Sequence, residues 1–412
     1  MRIIDAANRA ALERFLARDH RADRAFDRRV GAIVDRVRGG GDRALARFAR
    51  RFDGTTPPFE IGIDEMRDRA ARVPADVRRA IRQAARNIAR VAFRQIPKHW
   101  DLEVAPGVLV EQRVEPLARV GCYVPGGRFP LPSSLLMTTV PARVAGVREV
   151  IVCCPRPEPA VMAAAIEAGV TRLFRLGGAH AVAALAYGTA TIPRVDKIVG
   201  PGNRYVAAAK AAVAADCAID FLAGPTEIVV VAGSGRPSWI AADLAAQAEH
   251  DPDARAIFIT WSRTLAERVA RHLSAANGAA VVTRTPDEAI ALANRIAPEH
   301  LVVDREALTR RSLTAGAVFV GPYTAQAAGD YATGSNHVLP TSGAARFRGG
   351  LTAADFVRVM SVQRLTRAGL ARLAPTILPL ARAEGLEAHA RSIEIRLGRP
   401  SRHQPPASSH QP

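Results

Sequence analysis

The chain has 412 residues, 48% hydrophobic and 23% charged, which is the make-up of a globular protein with ample core material, not of a disordered or fibrous one. No apolar run reaches the ~18 residues needed to span a bilayer, and Met1-Arg2-Ile3-Ile4-Asp5 lacks the apolar stretch of a secretory signal, so a cytoplasmic protein with no membrane partner is expected. The net charge of +18 comes from 54 arginines against three lysines (Lys98, Lys197, Lys210), spread along the chain without interleaved aromatics, so no nucleic acid is expected as a partner.

The first ~120 residues read as mostly helical, from apolar residues at helical spacing. Val30, Ile33, Val34 and Val37 make one such stripe, Gly39-Gly40-Gly41 breaks it, and Asp42 caps a further helix over 43–51. A long helix is predicted over 74–94, with Pro74 in its first turn, and a strand over 108–114. From Arg148 the rhythm becomes alternating strand and helix. Strands are predicted at 150–154, 172–176 and 197–199, with helices at 160–168, 179–187 and 203–214. The pattern restarts after Gly224-Pro225, with strands at 227–231, 256–260, 280–283, 301–303 and 318–320. Such alternation implies parallel sheets covered on both faces, hence an α/β fold with two incomplete Rossmann-like, doubly wound lobes and a cleft as ligand site. The Pro/Ser-rich residues from 399 to 412 are expected to be a disordered tail.

The four cysteines (Cys122, Cys153, Cys154, Cys217) show no CxxC spacing. Cys153 and Cys154 fall in an apolar run and read as core, and Cys122 has no adjacent base to make it a nucleophile. Gly177-Gly178-Ala179, Gly200-Pro201-Gly202-Asn203 and Gly233-Ser234-Gly235 are strand-to-helix turns suited to tight turning or to meeting a phosphate, but none completes GxGxxG. The loop Gly121-Cys122-Tyr123-Val124-Pro125-Gly126-Gly127-Arg128 is either turn chemistry or a platform that presents Tyr123 to a flat ligand.

The scarce histidines are grouped. Gln247 and His250 share a helix edge, and mixed nitrogen and oxygen donors of this kind suit a divalent transition metal. Glu299 and His300 lie on the turn before a strand, where both can reach one cleft and an imidazole can accept a proton. Asp330 and His337 fall in a Gly-rich structured segment, and His389 follows a helical stretch ending near Glu384. A metal site beside a general base is the reading these residues support.

Several longer motifs carry a family resemblance over nearly the whole chain. They are Tyr-Val-Pro-Gly-Gly-Arg from Tyr123, Gly-Pro-Gly-Asn ending at Asn203, Gly-Pro-Thr-Glu around Thr226, Gln-Ala-Glu-His from Gln247 and Pro-Glu-His-Leu around His300. Gly-Asp-Tyr from Gly329, Asn-His-Val-Leu-Pro-Thr from Asn336 and Leu-Glu-Ala-His-Ala ending at Ala390 complete the set. Together they resemble the L-histidinol dehydrogenase family.

The resemblance implies zinc-dependent oxidation of L-histidinol to L-histidine through the aldehyde, with two NAD+, at the end of histidine biosynthesis. It also implies a homodimer whose small terminal domains swap. By position, Gln247, His250, Asp330 and His389 would be metal ligands, the last from the second subunit. Glu299 and His300 would be the acid–base pair. Tyr123, His180 and Asn203 would contact the cofactor, and Thr226, Glu384 and His300, with the metal ligands, the substrate. The implied organisation is a small segment 1–18, one Rossmann-like lobe from 19–122 with 226–351, a second from 123–225, and a dimerisation domain from 352–398. His180 stands where the family usually carries Gln, and Thr226 where it usually carries Ser. The alternative is a paralogous zinc/NAD dehydrogenase acting on another small polar alcohol, such as a sulfonated diol.

Overall fold

The apolar runs become parallel strands. The computed structural model describes residues 1–17, 23–126, 130–222, 224–249, 253–273 and 278–398, so His250 and the tail lie outside the described residues. By compactness the chain divides into one unit of residues 1–96 with 116–356 and another formed by 97–115 with the chain from 357 onward.

The larger unit holds two six-stranded sheets. The first runs, in spatial order, Glu60–Ile61, Arg172–Phe174, Glu149–Cys153, Arg119–Tyr123, Lys197–Val199 and Ala218–Ile219. Its two-residue edge strand Glu60–Ile61 is antiparallel to Arg172–Phe174; the other neighbours pair in parallel. The second sheet runs Arg2–Asp5, Gly278–Val282, Arg255–Thr260, Glu227–Val231, His300–Val303 and Ala317–Val320, parallel throughout. In each sheet the strand order reverses beside the first strand of its βαβ series, Arg119–Tyr123 or Glu227–Val231, as in a doubly wound fold.

Alternation along the strands sets the layers. In the second sheet Val229, Val231, Ile257 and Ile259 enter one core, and Ile228, Val230, Ala256 and Phe258 the other. Both faces are therefore covered, and each such Val, Ile or Phe side chain contributes about 1.5–3 kcal/mol on burial. In the first sheet, helix Gly178–Tyr187 is buried nearly all round, packed against Arg24–Phe52 and Arg204–Val213.

The break expected at the triple glycine is present: residues 24–52 are two helices that meet in a kink at Gly41 (φ 51°, ψ −139°). Two other features differ from the sequence reading. Helix Pro132–Val144 is buried on all sides, so it carries no amphipathic stripe to read, and Pro141 sits inside it. The early part of the chain also contributes strands Arg2–Asp5, Trp100–Ala105 and Arg119–Tyr123.

The smaller unit is a three-stranded sheet, ordered Val357–Leu365, Val108–Pro116, Trp100–Ala105, with helices Arg367–Ala383 and Glu387–Arg396. The two helices close over Ala374, Leu378, Ala381 and Ala390. Among the described residues, no helix is long and apolar enough to cross a membrane.

Candidate functional site

At the carboxyl ends of the first sheet lies a cavity of about 830 Å³. Tyr123, His180 and Asn203, the three residues expected at a cofactor, all line it, with Phe48, Phe52 and Asp53. This is where a doubly wound sheet leaves its crevice. Each residue is held by a local rule. Asn203 caps helix Arg204–Val213, its Oδ1 accepting from the N–H groups of Tyr205 (3.0 Å) and Val206 (3.2 Å). The Tyr123 hydroxyl accepts from the Gly178 N–H at 3.1 Å, and burial raises its phenol well above the ordinary range, so it stays neutral. His180 is 1% exposed; its Nε2 lies 2.9 Å from Asp53 Oδ2, which also accepts from the Gly177 N–H at 2.9 Å. Phe48 and Phe52 rings stand 6.3 and 6.1 Å from the imidazole.

A second cluster is built at the amino ends of the second sheet. Helix Pro286–Ile296 ends on Ala297 in the left-handed region (φ 49°), a conformation that favours glycine, and the chain then turns through Pro298 and Glu299 into the strand at His300. Glu299 Oε2 accepts from Thr226 Oγ1 at 2.5 Å and from the Glu227 N–H at 3.0 Å. Thr226 Oγ1 in turn accepts from Gln247 Nε2. The result is a relay from amide to hydroxyl to carboxyl. His300 Nδ1 is 3.8 Å from Glu299 Oε2, so the neighbouring side chains do reach the same place. Burial pushes the Glu299 carboxyl up to about 8, against the opposing pull of Thr226 and the Glu227 N–H.

Gln247 Oε1 is buried with no hydrogen-bond partner among the described residues. A buried amide oxygen in that state is a ready donor for a cation. Asp330 is 7% exposed, on helix Gln326–Tyr331, which packs against the Gln247 helix. Its Oδ2 accepts from Gln326 Nε2 at 2.9 Å. Among the described residues no three His, Cys, Asp or Glu side chains converge as a metal site. Of the other two expected ligands, His250 lies outside the described residues. His389 belongs to the smaller unit, exposed on helix Glu387–Arg396, and Glu384 is the exposed C-cap of helix Arg367–Ala383 in the same unit. Cys122 is fully buried and its thiol is pushed up to about 12 by that burial, which disfavours the thiolate a nucleophile needs.

Some contacts had no sequence signal. His337 Nε2 is 3.3 Å from Ser134 Oγ, and its Nδ1 is 3.1 Å from the Asp330 carbonyl. Asn336 Nδ2 donates to the Met137 carbonyl at 2.7 Å. The segment around Asp330 is thus stapled to helix Pro132–Val144, the helix that follows the Tyr123 loop. Asp53 stands in Phe52-Asp53-Gly54, and nothing in the sequence links it to His180, 127 residues away.

A sequence model of the family described as histidinol dehydrogenase matches residues 16–397. Histidinol dehydrogenase of Geobacter sulfurreducens is 46% identical over 410 residues, covering 93% of this chain and 96% of that protein. The Thermus thermophilus enzyme of the same name is 46% identical over 403 residues, covering 93% and 97%. A crystal structure of histidinol dehydrogenase from Elizabethkingia anophelis superposes with a TM-score of 0.92 at 30% identity, covering 97% of this chain and 98% of that one.

Proposed function

The chain belongs to the histidinol dehydrogenase family, and from that premise we propose that it oxidises L-histidinol to L-histidine through the aldehyde, in the cytoplasm, with two NAD+ and zinc. The observation that carries this reading is the buried Glu299–His300 pair joined through Thr226 to Gln247. NAD+ belongs in the cavity of Tyr123, His180 and Asn203. Gln247, His250, Asp330 and His389 would hold zinc; the orphaned Gln247 Oε1 and the buried Asp330 carboxylate suit that role. When bound, zinc supplies a Lewis-acidic anchor for the imidazole and amine of the substrate. Glu384 would face the substrate's amino-alcohol end. His389 would come from a second copy of the chain, in a homodimer with swapped terminal domains.

The residues then divide the work by their environments. His300 accepts the hydroxyl proton of histidinol as hydride leaves its carbon for NAD+. Glu299, whose burial makes its carboxylate a stronger base than an ordinary one, takes a proton from the water that adds to the aldehyde. Thr226 and the Glu227 N–H hold that carboxyl in place through both steps. Removal of a second hydride from the hydrate gives the carboxylic acid, so no thiol intermediate is needed. The added methyl of Thr226 and the imidazole of His180 favour, as a second reading, a paralogue that oxidises another small polar alcohol.

His300→Asn tests the assignment. The variant should keep its zinc content and lose most turnover with L-histidinol; turnover like the parent's would remove His300 from the base role.

A further inference from the structure

A doubly wound site ordinarily takes a dinucleotide's pyrophosphate on free N–H groups at a helix N-terminus. In this cavity the Gly177, Gly178, Tyr205 and Val206 donors are already bonded within the chain. At helix Gly178–Tyr187 the Gly177 N–H goes to Asp53 Oδ2 (2.9 Å) and the Gly178 N–H to the Tyr123 hydroxyl (3.1 Å). At helix Arg204–Val213 the Asn203 side chain takes the N–H groups of Tyr205 and Val206. The Asp53 carboxylate, moreover, stands where an anion would otherwise sit and would repel a phosphate. The missing GxGxxG is consistent with this, since that fingerprint serves an approach to backbone amides, and those of Gly177 and Gly178 are taken.

Positive charge comes instead from side chains. Arg29, Arg36, Arg51 and Arg156 line the cavity, and Asp53, held by His180 and Gly177, is the one acid among its described lining residues. Arg29 and Arg36 are seven residues apart on helix Arg24–Phe52, so they project from one face, with Ile33 between them. Arg36 makes no hydrogen bond or ion pair among the described residues. Arg51 lies over the Phe52 ring at 5.2 Å and Arg29 over the Phe26 ring at 5.8 Å, both leaving N–H groups for a ligand. Arg156 donates Nε and Nη2 to the Gly126 carbonyl, which fixes its guanidinium at the cavity's edge. Planar guanidiniums match phosphate oxygens in pairs.

We infer that the dinucleotide's pyrophosphate is held in this cavity chiefly by guanidinium side chains, Arg29 and Arg36 with Arg51 and Arg156, rather than by those four amides. This rests on the reading that the cavity is the NAD+ site, and the test separates the two. Dissociation constants are measured for ADP-ribose, which carries the pyrophosphate, and for adenosine, which does not, on the zinc-loaded protein. Arg29→Ala and Arg36→Ala change exposed side chains, so the fold is kept. Each should weaken ADP-ribose about tenfold and leave adenosine within twofold, and added salt should weaken ADP-ribose less in the variants than in the parent. Equal weakening of both ligands, or of neither, overturns the inference. If ADP-ribose is unaffected by the arginine variants but weakened by Asn203→Ala, the cavity reading stands and the arginine assignment falls. If Asn203→Ala also has no effect, the cavity reading falls with it.

Discussion

Replacing Lys210 by Met tests how the cofactor cavity is held in shape. Lys210 and Asp220 are 2% and 5% exposed, an ion pair inside the larger unit. The ammonium donates to Asp220 Oδ1 and, at 3.1 Å, to the Gly200 carbonyl. Asp220 accepts from the Gly200 N–H at 2.8 Å and the Phe221 N–H at 2.6 Å. Both polar groups of Gly200 are therefore gripped by one pair. Gly200 itself has φ 113°, and a Cβ there would lie 2.2 Å from the Tyr123 carbonyl oxygen. The pair thus sets the turn that presents Asn203 and packs against the Tyr123 strand. Lys210→Met leaves a buried carboxylate without its counter-charge, at a cost of about 3–5 kcal/mol. With an unfolding entropy of about 2.1 cal/mol/K per residue, that cost lowers Tm by about 3–6 °C for a chain of 412 residues. Differential scanning calorimetry reads this directly. Adding Asp220→Asn removes the orphaned charge yet keeps an oxygen for the Gly200 N–H, so the double variant should recover about half the loss. The KM for NAD+ should rise in Lys210→Met. A melting point within 1 °C of the parent, with KM unchanged, would show that the pair does not hold the Gly200 turn.

Three further outcomes concern the polar cluster and the proposed metal ligands. Thr226→Val removes the hydroxyl between Gln247 and Glu299 at constant shape; it should cost about 1–3 kcal/mol of stability by denaturant titration and most of the turnover, and Thr226→Ser should restore both. Glu299 has a folded pKa of about 8, raised from 4.5, so its contribution to stability is fully present below about pH 4.5 and is lost as pH rises through 8. In chelator-treated protein, Glu299→Gln should flatten that decline in Tm between pH 4.5 and 8; an unchanged profile would show that Glu299 is not the titrating group. His389→Ala should lower zinc retained after dialysis, measured by atomic absorption, and full retention would remove it from the ligand set.

The central strands were legible because both faces of a parallel sheet are buried, which writes continuous apolar runs such as Glu227–Val231 and Arg255–Thr260. Trp100–Ala105 and Val357–Leu365 were not, since their residues are mostly exposed and charges such as Asp101, Glu103, Arg358 and Arg364 interrupt any pattern. Arg2–Asp5 is only four residues long, and its partner strand Gly278–Val282 lies far along the chain. At the site, Glu299 and His300 could be paired from sequence because they are adjacent, whereas helical spacing ties Gln247 only to His250, and its contact with Thr226 comes from tertiary packing. Asp53 with His180, and Ser134 with His337, meet only through tertiary packing. Lys210 carried one hint, as one of three lysines among 54 arginines, but nothing in its neighbourhood marked it as buried.

A four-electron oxidation is read directly from stoichiometry. Zinc-loaded protein is incubated with L-histidinol and excess NAD+, and NADH formed is compared with histidinol consumed. About two NADH per histidinol are expected, with L-histidine as product, because each NAD+ takes one hydride. About one NADH with the aldehyde as product, or no NADH from metal-replete protein, would contradict a four-electron oxidation.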